Sequence, residues 1–189
     1  VGLSAFQPDQ AHLFFGRQKE TLDALATFDV ATYGQPVKWL EIRGNSGSGK
    51  SSLMNAGMLP LIEQGWLYGR TRFSEWRVIG PMMPGEHPLR GLAKQLAIAF
   101  SDPQHGIQVE MADVRQRLES DGERALADWL GGRTREDTAF LLAVDQFEEL
   151  FTLCDDRAER QAYIDNLLQA GGPDGVTTGN APMSCVRSV

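Results

Sequence analysis

The segment GNSGSGKSS, residues 44–52, has the composition and spacing of a loop that binds phosphate groups. Gly44 is followed, after four residues, by Gly49, Lys50 and Ser51, which is the pattern G-x-x-x-x-G-K-[ST]. Glycines allow a backbone that turns several N–H groups toward one anion, and the start of a following helix adds a favourable dipole. Lys50 would meet the β- and γ-phosphates, and the Ser51 hydroxyl would coordinate Mg²⁺. The residues expected to contact the nucleotide here are Gly44, Asn45, Ser46, Gly47, Ser48, Gly49, Lys50, Ser51 and Ser52.

The segment FLLAVDQFEELF, residues 140–151, supplies a carboxylate that such a loop requires. Its apolar start, 140–144, predicts a buried strand that carries Asp145 at its carboxyl end. In P-loop NTPases an aspartate at this place, the Walker-B aspartate, holds Mg²⁺. As alternatives, Asp145 would only cap a helix, and residues 44–52 would form a turn without a ligand. The two segments together favour a nucleotide site in which Ser51 and Asp145 bind the metal.

Two glutamates after this aspartate are candidates for activating a water molecule that attacks the γ-phosphate. The predicted catalytic residues are therefore Lys50, Asp145, Glu148 and Glu149. The alternative is that both glutamates are solvated acids in the first turn of a helix, where the macrodipole favours them. Many ATPases with an extra central strand carry a glutamate directly after the aspartate, but this chain has Gln146 there. We therefore expect slow hydrolysis.

Alternating strand and helix patterns predict the elements that position these residues. Strands are expected at 37–43, 73–82, 140–144 and 183–189, and helices after Gly16, from Lys50, from Pro88, over 114–130 with a break at Gly122, and over 155–170. Pro60 should end or kink the helix that begins at Lys50. Asp155 or Asp156 should cap the start of the helix over 155–170, and Gly171 should end it. Residues 33–36 should form a turn. This order predicts a three-layer α/β domain with a central parallel sheet and helices on both faces. Ligands bind such sheets at the carboxyl ends of the strands, where the loop and the aspartate are expected.

Length, charge and cysteine usage exclude several classes of protein. The chain has 189 residues, with 42% hydrophobic and 23% charged, as expected for a single globular domain. No apolar stretch is long enough for a membrane span, and the first residues lack the pattern of a secretory signal. The net charge of −7 argues against nucleic-acid binding, which depends on Lys and Arg. The chain has 2 cysteines and no Cys or His cluster, which predicts a reducing, cytoplasmic location and no structural zinc.

Several segments resemble the STAND class of P-loop NTPases, the signal-transduction ATPases with numerous domains. They resemble most the Novel STAND NTPase 1 subgroup, whose members are often linked to WD repeats. The segments are LFFGRQKE (13–20), GNSGSGKSSLMNAGMLPLI (44–62), PGEHPLRGLA (84–93) and LLAVDQFEELFTL (141–153). The resemblance extends over about residues 6–170.

This resemblance implies a nucleotide switch that uses ATP, or another NTP, with Mg²⁺ in a large signalling protein. It places Phe15, Gly16 and Arg17 near the adenine and ribose. The alternative is that Phe14 and Phe15 pack into the core as a hydrophobic staple. Protein partners or self-association are expected through regions outside the chain, and neither a membrane nor a nucleic acid is expected as a partner.

The resemblance also predicts how the chain is organised. We expect one P-loop NTPase domain over 1–189, with an N-terminal segment and helix at 1–36 and the sheet with its helices at 37–189. Family members continue into a segment with an arginine, a helical lid and a winged-helix-type region. Since the chain lacks an initiator Met and stops at Val189, we expect a fragment that binds nucleotide weakly.

Three functions are compatible with these residues. The favoured one is a Mg-ATP-binding switch domain, an ATPase of low turnover. The second is an interaction module that binds nucleotide without hydrolysing it, which Gln146 would permit. The third is a small-molecule kinase in which Arg133 and Arg135 would contact the transferred phosphate, unless they are solvated loop cations.

Overall fold

The computed structural model describes residues 5–29, 39–71, 73–133 and 137–171, and the backbone of 183–188. Over these residues the chain is a mixed α/β protein. Its elements are a 3-10 helix (Pro8–Leu13), α1 (Gln18–Ala26), β1 (Trp39–Ile42), α2 (Lys50–Ser52), a π-helical segment (Leu53–Met58), α3 (Leu59–Glu63), β2 (Glu75–Met82), α4 (Pro88–Phe100), a short 3-10 helix (Pro103–His105), α5 (Met111–Ser120), α6 (Ala125–Gly131), β3 (Thr138–Val144), α7 (Glu149–Thr152), α8 (Arg157–Gly171) and β4 (Met183–Ser188). The turn predicted at 33–36 and the start of the strand predicted at 37–43 lie outside the described residues.

The four described strands form one parallel sheet in the order β1-β4-β3-β2. β4 pairs with β1 over 185–188 and with β3 over 183–187. The strand predicted at the end of the chain is therefore a central strand. It separates β1, which leads into the glycine-rich loop, from β3, which leads to Asp145.

Alternate residues of β3 face two apolar cores on opposite sides of the sheet. Phe140, Leu142 and Val144 pack with residues of α4, α5, α6 and α8. Leu141 and Ala143 pack with residues of α1, the π-helical segment and α3. Helices therefore cover both faces of the sheet, and β3 is buried along its whole length.

The helix that follows the glycine-rich loop does not end at Pro60, which was one of the two outcomes expected for this proline, an end or a kink. α2 passes into the π-helical segment and then into α3, which ends at Glu63. At the end of the π-helical segment the Leu59 N–H donates to the Met54 carbonyl, five residues earlier. Pro60 has no N–H to donate, so the helix changes its hydrogen-bond register next to the residue where a donor is missing.

The other predicted helix boundaries are close to the observed ones. Pro88 is the first residue of α4, and Gly122, with φ 80°, lies between α5 and α6. Asp156 Oδ1 accepts hydrogen bonds from two N–H groups of the first turn of α8 and so caps this helix. Gly171 ends α8, where a Cβ atom would lie 3.2 Å from Trp39 Nε1 of β1. None of the helices in the described ranges has the length and apolar character needed to span a membrane.

Candidate functional site

The two segments selected from the sequence meet at the carboxyl ends of β1 and β3. Ser51 Oγ donates a hydrogen bond of 2.8 Å to Asp145 Oδ1. The same carboxylate oxygen accepts from the Gln146 N–H at 3.0 Å, and the Asp145 N–H donates to the Met82 carbonyl at 2.7 Å. Asp145 is 7% exposed. A buried carboxylate is therefore held at the shared end of β2 and β3, in direct contact with the hydroxyl group that follows the loop.

Glycines shape the loop between β1 and α2. Gly47 has φ 77° and Gly49 has φ 83°, in the left-handed region where a Cβ atom causes strain. The Ser48 N–H donates to the Asn45 carbonyl at 3.1 Å and forms a turn. At Gly44 a Cβ atom would lie 2.7 Å from Ser48 Oγ. The loop conformation therefore requires glycine at Gly47 and Gly49, whereas a side chain at Gly44 would require the Ser48 hydroxyl to move.

The ammonium group of Lys50 lies against the backbone of this loop. Its Nζ donates to the Gly44 carbonyl at 2.8 Å and to the Asn45 carbonyl at 3.2 Å. Arg43, just before the loop, is instead paired with Glu41 at 2.6 Å, and this hydrogen bond raises the Arg43 pKa. Lys50 is therefore a cation held by exposed loop carbonyls, which phosphate oxygens could replace.

The N-terminal residues contact both the loop and the helix after it. Arg17 Nη1 donates to the Ser48 carbonyl at 2.7 Å. The Phe6 N–H donates to Ser52 Oγ at 3.0 Å. Arg17 and Ser52, two of the predicted nucleotide-binding residues, therefore join the N-terminal segment to the loop region. No periodicity in the sequence signals these contacts, since 31 residues separate the first pair and 46 separate the second.

The sequence was also compared with models of known protein families. The model described as Novel STAND NTPase 1 matches residues 1–187. The chain belongs to this family. The match confirms the resemblance inferred from sequence and extends it beyond residues 6–170, and it identifies a nucleotide-binding NTPase domain. Separate searches among curated proteins and among solved structures found no match.

The two phenylalanines of the FFGR motif have different environments in this Novel STAND NTPase 1 domain. Phe15 is 77% exposed and precedes Gly16, which has φ 88°. Phe14 is half-buried and packs edge-on against Phe6, with ring centroids 5.9 Å apart. The packing alternative therefore fits Phe14 and does not fit Phe15. That Phe15, Gly16 and Arg17 lie near adenine stays a prediction.

Glu148 and Glu149 lie at the start of α7. Glu148 is exposed and immediately precedes the helix, whereas Glu149 is half-buried and is its first residue. Buried Phe147 and Leu150 fix this short helix next to the end of β3. This position agrees with the alternative that both glutamates are acids at the start of a helix, where the macrodipole favours negative charge. The catalytic role of either glutamate stays a prediction.

Gln146 adopts a backbone conformation that the sequence analysis did not anticipate. Among the described residues it is the non-glycine residue with a positive φ, 49°. This left-handed conformation is uncommon for residues other than glycine, asparagine and aspartate. The Gln146 Nε2 atom lies 3.4 Å from the sulfur of Met83, the residue after β2. The chain therefore turns sharply after Asp145 and places the Gln146 amide at the end of β2.

Arg133, one of the two arginines considered for a kinase, packs against the helix that precedes it, α6. Arg133 Cζ lies 3.9 Å from the centre of the Trp129 ring, and Arg133 Nη1 donates to the Trp129 carbonyl at 3.2 Å. Arg135 lies outside the described residues. These contacts give Arg133 a packing role on α6 and do not favour the kinase alternative.

A cavity of about 490 Å³ lies between the first 3-10 helix, α1 and the helix over 53–63. Phe14, Thr21, Gly57 and Leu61 are among its lining residues, and none of residues 44–52 lines it. This cavity is therefore separate from the predicted phosphate site.

Proposed function

We propose that this chain is a nucleotide switch domain that binds Mg-ATP and hydrolyses it slowly, within a multidomain regulatory protein. The family supports an NTPase domain, and one geometric observation carries the more specific proposal. The Ser51 hydroxyl lies 2.8 Å from Asp145 Oδ1, although 94 residues separate the two in sequence. The two side chains that would share a Mg²⁺ ion are therefore neighbours at one end of the sheet.

The glycine-rich loop would hold the phosphates. Its residues over 44–48 are exposed, and the helix that begins at Lys50 would add its N-terminal dipole. The Lys50 ammonium would exchange the Gly44 and Asn45 carbonyls for oxygens of the β- and γ-phosphates. Charged acceptors make stronger hydrogen bonds than carbonyls do, so this exchange favours the bound state.

The donor atoms at the site fit Mg²⁺. The Ser51 hydroxyl and the Asp145 carboxylate offer oxygen atoms, which this ion prefers. In sites of this kind Mg²⁺ neutralises charge on the phosphates and completes its coordination with water and phosphate oxygens. With two protein donors, the site depends on water and on the nucleotide for its remaining ligands.

Slow hydrolysis follows from the residue after Asp145. The amide of Gln146 can orient a water molecule, but it cannot accept the proton of that water at neutral pH as a carboxylate can. Glu148 and Glu149 are the nearby carboxylates proposed for that role. A slowly hydrolysed nucleotide would persist long enough to act as a signal.

The wider context of the proposal comes from the family resemblance. ATP is the proposed nucleotide, with Phe15, Gly16 and Arg17 on the side of the base, although another NTP would use the same phosphate contacts. The switch would act in the cytoplasm on protein partners, or on further copies of the protein, through regions outside this chain.

Calorimetric titration with Mg-ATP and Mg-ADP tests the proposal. We expect the chain to bind both, and Lys50→Ala to weaken binding at least about tenfold, because hydrogen bonds to charged groups contribute about 1.5–3 kcal/mol. Lys94→Ala is the matched control, since it removes an exposed lysine of α4. We expect this control to bind like the unmodified chain.

Phosphate release in the same samples separates the remaining functions. Slow release supports the switch, and binding without any release supports the non-hydrolysing module. Transfer of phosphate to an added small-molecule acceptor would instead indicate a kinase. If the unmodified chain binds neither nucleotide, the proposed function is wrong.

A further inference from the structure

Arg17 makes a direct contact with the backbone of the glycine-rich loop. Its Nη1 atom donates to the Ser48 carbonyl at 2.7 Å. The same nitrogen lies 3.0 Å from the position that a Cβ atom would take at Gly49. The guanidinium group therefore lies against the peptide that joins these two residues, immediately before Lys50.

The backbone of Arg17 is itself bonded to α1, and α1 packs on the helix that follows the loop. Its carbonyl accepts hydrogen bonds from the Thr21 N–H at 3.0 Å and from Thr21 Oγ1 at 2.9 Å. Thr21 is buried, and a Cβ atom at Gly57 of the π-helical segment would approach Thr21 Oγ1 to 2.7 Å. Close packing of α1 on this helix therefore fixes the point from which the Arg17 side chain reaches the loop.

The bond to Ser48 also sets the direction of the next N–H group. In a trans peptide the carbonyl and the following N–H point in opposite directions. The described cis peptide is Gly80–Pro81, so the peptide between Ser48 and Gly49 is trans. Holding the Ser48 carbonyl toward Arg17 therefore turns the Gly49 N–H away from Arg17.

We propose that Arg17 is a positioning residue for phosphate binding. It fixes the peptide between Ser48 and Gly49 so that the Gly49 N–H donates to a phosphate group, and it acts through the loop rather than on the base. The inference rests on the proposed function, because it requires that residues 44–52 bind a chain of phosphates.

This role differs in a measurable way from the adenine and ribose contact that the family resemblance implies for Arg17. An arginine that contacts the base or ribose affects only ligands that carry them. An arginine that contacts the γ-phosphate affects ATP and tripolyphosphate, which have a third phosphate, and spares ADP. An arginine that acts through the loop affects every ligand with a phosphate chain, including inorganic tripolyphosphate.

The test compares Arg17→Gln, Arg17→Lys and Lys19→Gln in the whole chain. Affinities for Mg-ATP, Mg-ADP and Mg-tripolyphosphate would be measured by calorimetry. Arg17→Gln should weaken all three by a similar factor, about tenfold, as expected for loss of one charge-assisted hydrogen bond. Arg17→Lys should recover part of this loss, because lysine can still donate to the Ser48 carbonyl.

Lys19→Gln is the matched control for charge. Lys19 lies on the same helix, and its side chain is 85% exposed and paired with Asp23 at 2.6 Å. This variant should bind all three ligands like the unmodified chain. Thermal unfolding without ligand shows whether each variant is folded, and the recovery by Arg17→Lys distinguishes positioning from damage to the fold.

Three results would overturn the inference. One is unchanged tripolyphosphate affinity in Arg17→Gln together with weaker ATP and ADP binding, which indicates a base or ribose contact. Another is a loss for ATP and tripolyphosphate that spares ADP, which indicates a γ-phosphate contact. The third is no loss for any ligand. If the unmodified chain binds none of the three ligands, the proposed function fails together with the inference, which is a distinguishable outcome.

Discussion

The two sides of the candidate site are held in place by different forces. On one side, β3 is buried along all of its residues, and Asp145 is 7% exposed and tied to β2 through its N–H group. On the other side, residues 43–48 are exposed, and the loop is held by hydrogen bonds from Arg17 and Lys50. Burial fixes the carboxylate, whereas polar contacts fix the loop.

This difference indicates how the site would respond to a ligand. The core that holds Asp145 cannot move without losing apolar contacts on both faces of β3. The Lys50 contacts are made to loop carbonyls, and phosphate oxygens are stronger acceptors for the same ammonium group. We therefore expect nucleotide to rearrange the loop and to leave the carboxylate in place.

The difference between the two sides of the site should have its largest effect on the free energy of unfolding. Leu142 of β3 is 1% exposed, so Leu142→Ala should lower the free energy of unfolding by about 2–5 kcal/mol. Ile42 of β1 is half-buried, so Ile42→Ala should cost markedly less. Denaturant unfolding measures both. Equal losses would contradict the idea that the aspartate side is the better buried of the two.

The sequence predicted the buried side of the site well. An unbroken apolar run indicates a strand covered on both faces, and the residue after it must lie at the carboxyl end. The mixed composition of the first strand likewise agrees with the half-buried state of β1. The position of β4 between β1 and β3 was not predictable in this way, because the pattern of one strand does not specify its neighbours.

The loop side was predictable in composition but not in its contacts. Glycine spacing identified the loop, yet the bond from Arg17 to Ser48 joins residues that no local pattern relates. The π-helical segment before Pro60 was also missed, because proline alone suggests an end or a kink. Thr21 of α1 also lies close to Gly57 of this segment, a tertiary contact that the proline does not signal.

A second prediction concerns the charge of the carboxylate. Asp145→Asn keeps an oxygen that can accept from Ser51, but it removes the negative charge that a Mg²⁺ ion would meet. Because the ion would bridge the protein and the phosphates, we expect the Mg²⁺-dependent part of ATP affinity to fall about 10- to 100-fold. Calorimetric titrations with Mg²⁺ and with a chelator measure this part directly.

The matched control for that measurement is Asp155→Asn, which neutralises an exposed aspartate next to the cap of α8. It should leave the Mg²⁺ dependence unchanged. If Asp145→Asn also leaves it unchanged, Asp145 does not bind the metal, and the alternative from the sequence, a cap for the helix after β3, would be favoured.

The smallest expected effect lies where the two sides meet, at Gln146. Gln146→Glu would add a carboxylate that can accept the proton of an attacking water, so we expect the rate of phosphate release to rise about tenfold. This is less than the roughly 100- to 10,000-fold that a well-placed general base typically contributes. Gln146→Gly is the control, because it suits the left-handed backbone, φ 49°, and removes the side chain. Steady-state phosphate release measures both. If the two variants release phosphate at the same rate, the position does not face the water, and Glu148 or Glu149 is the better candidate.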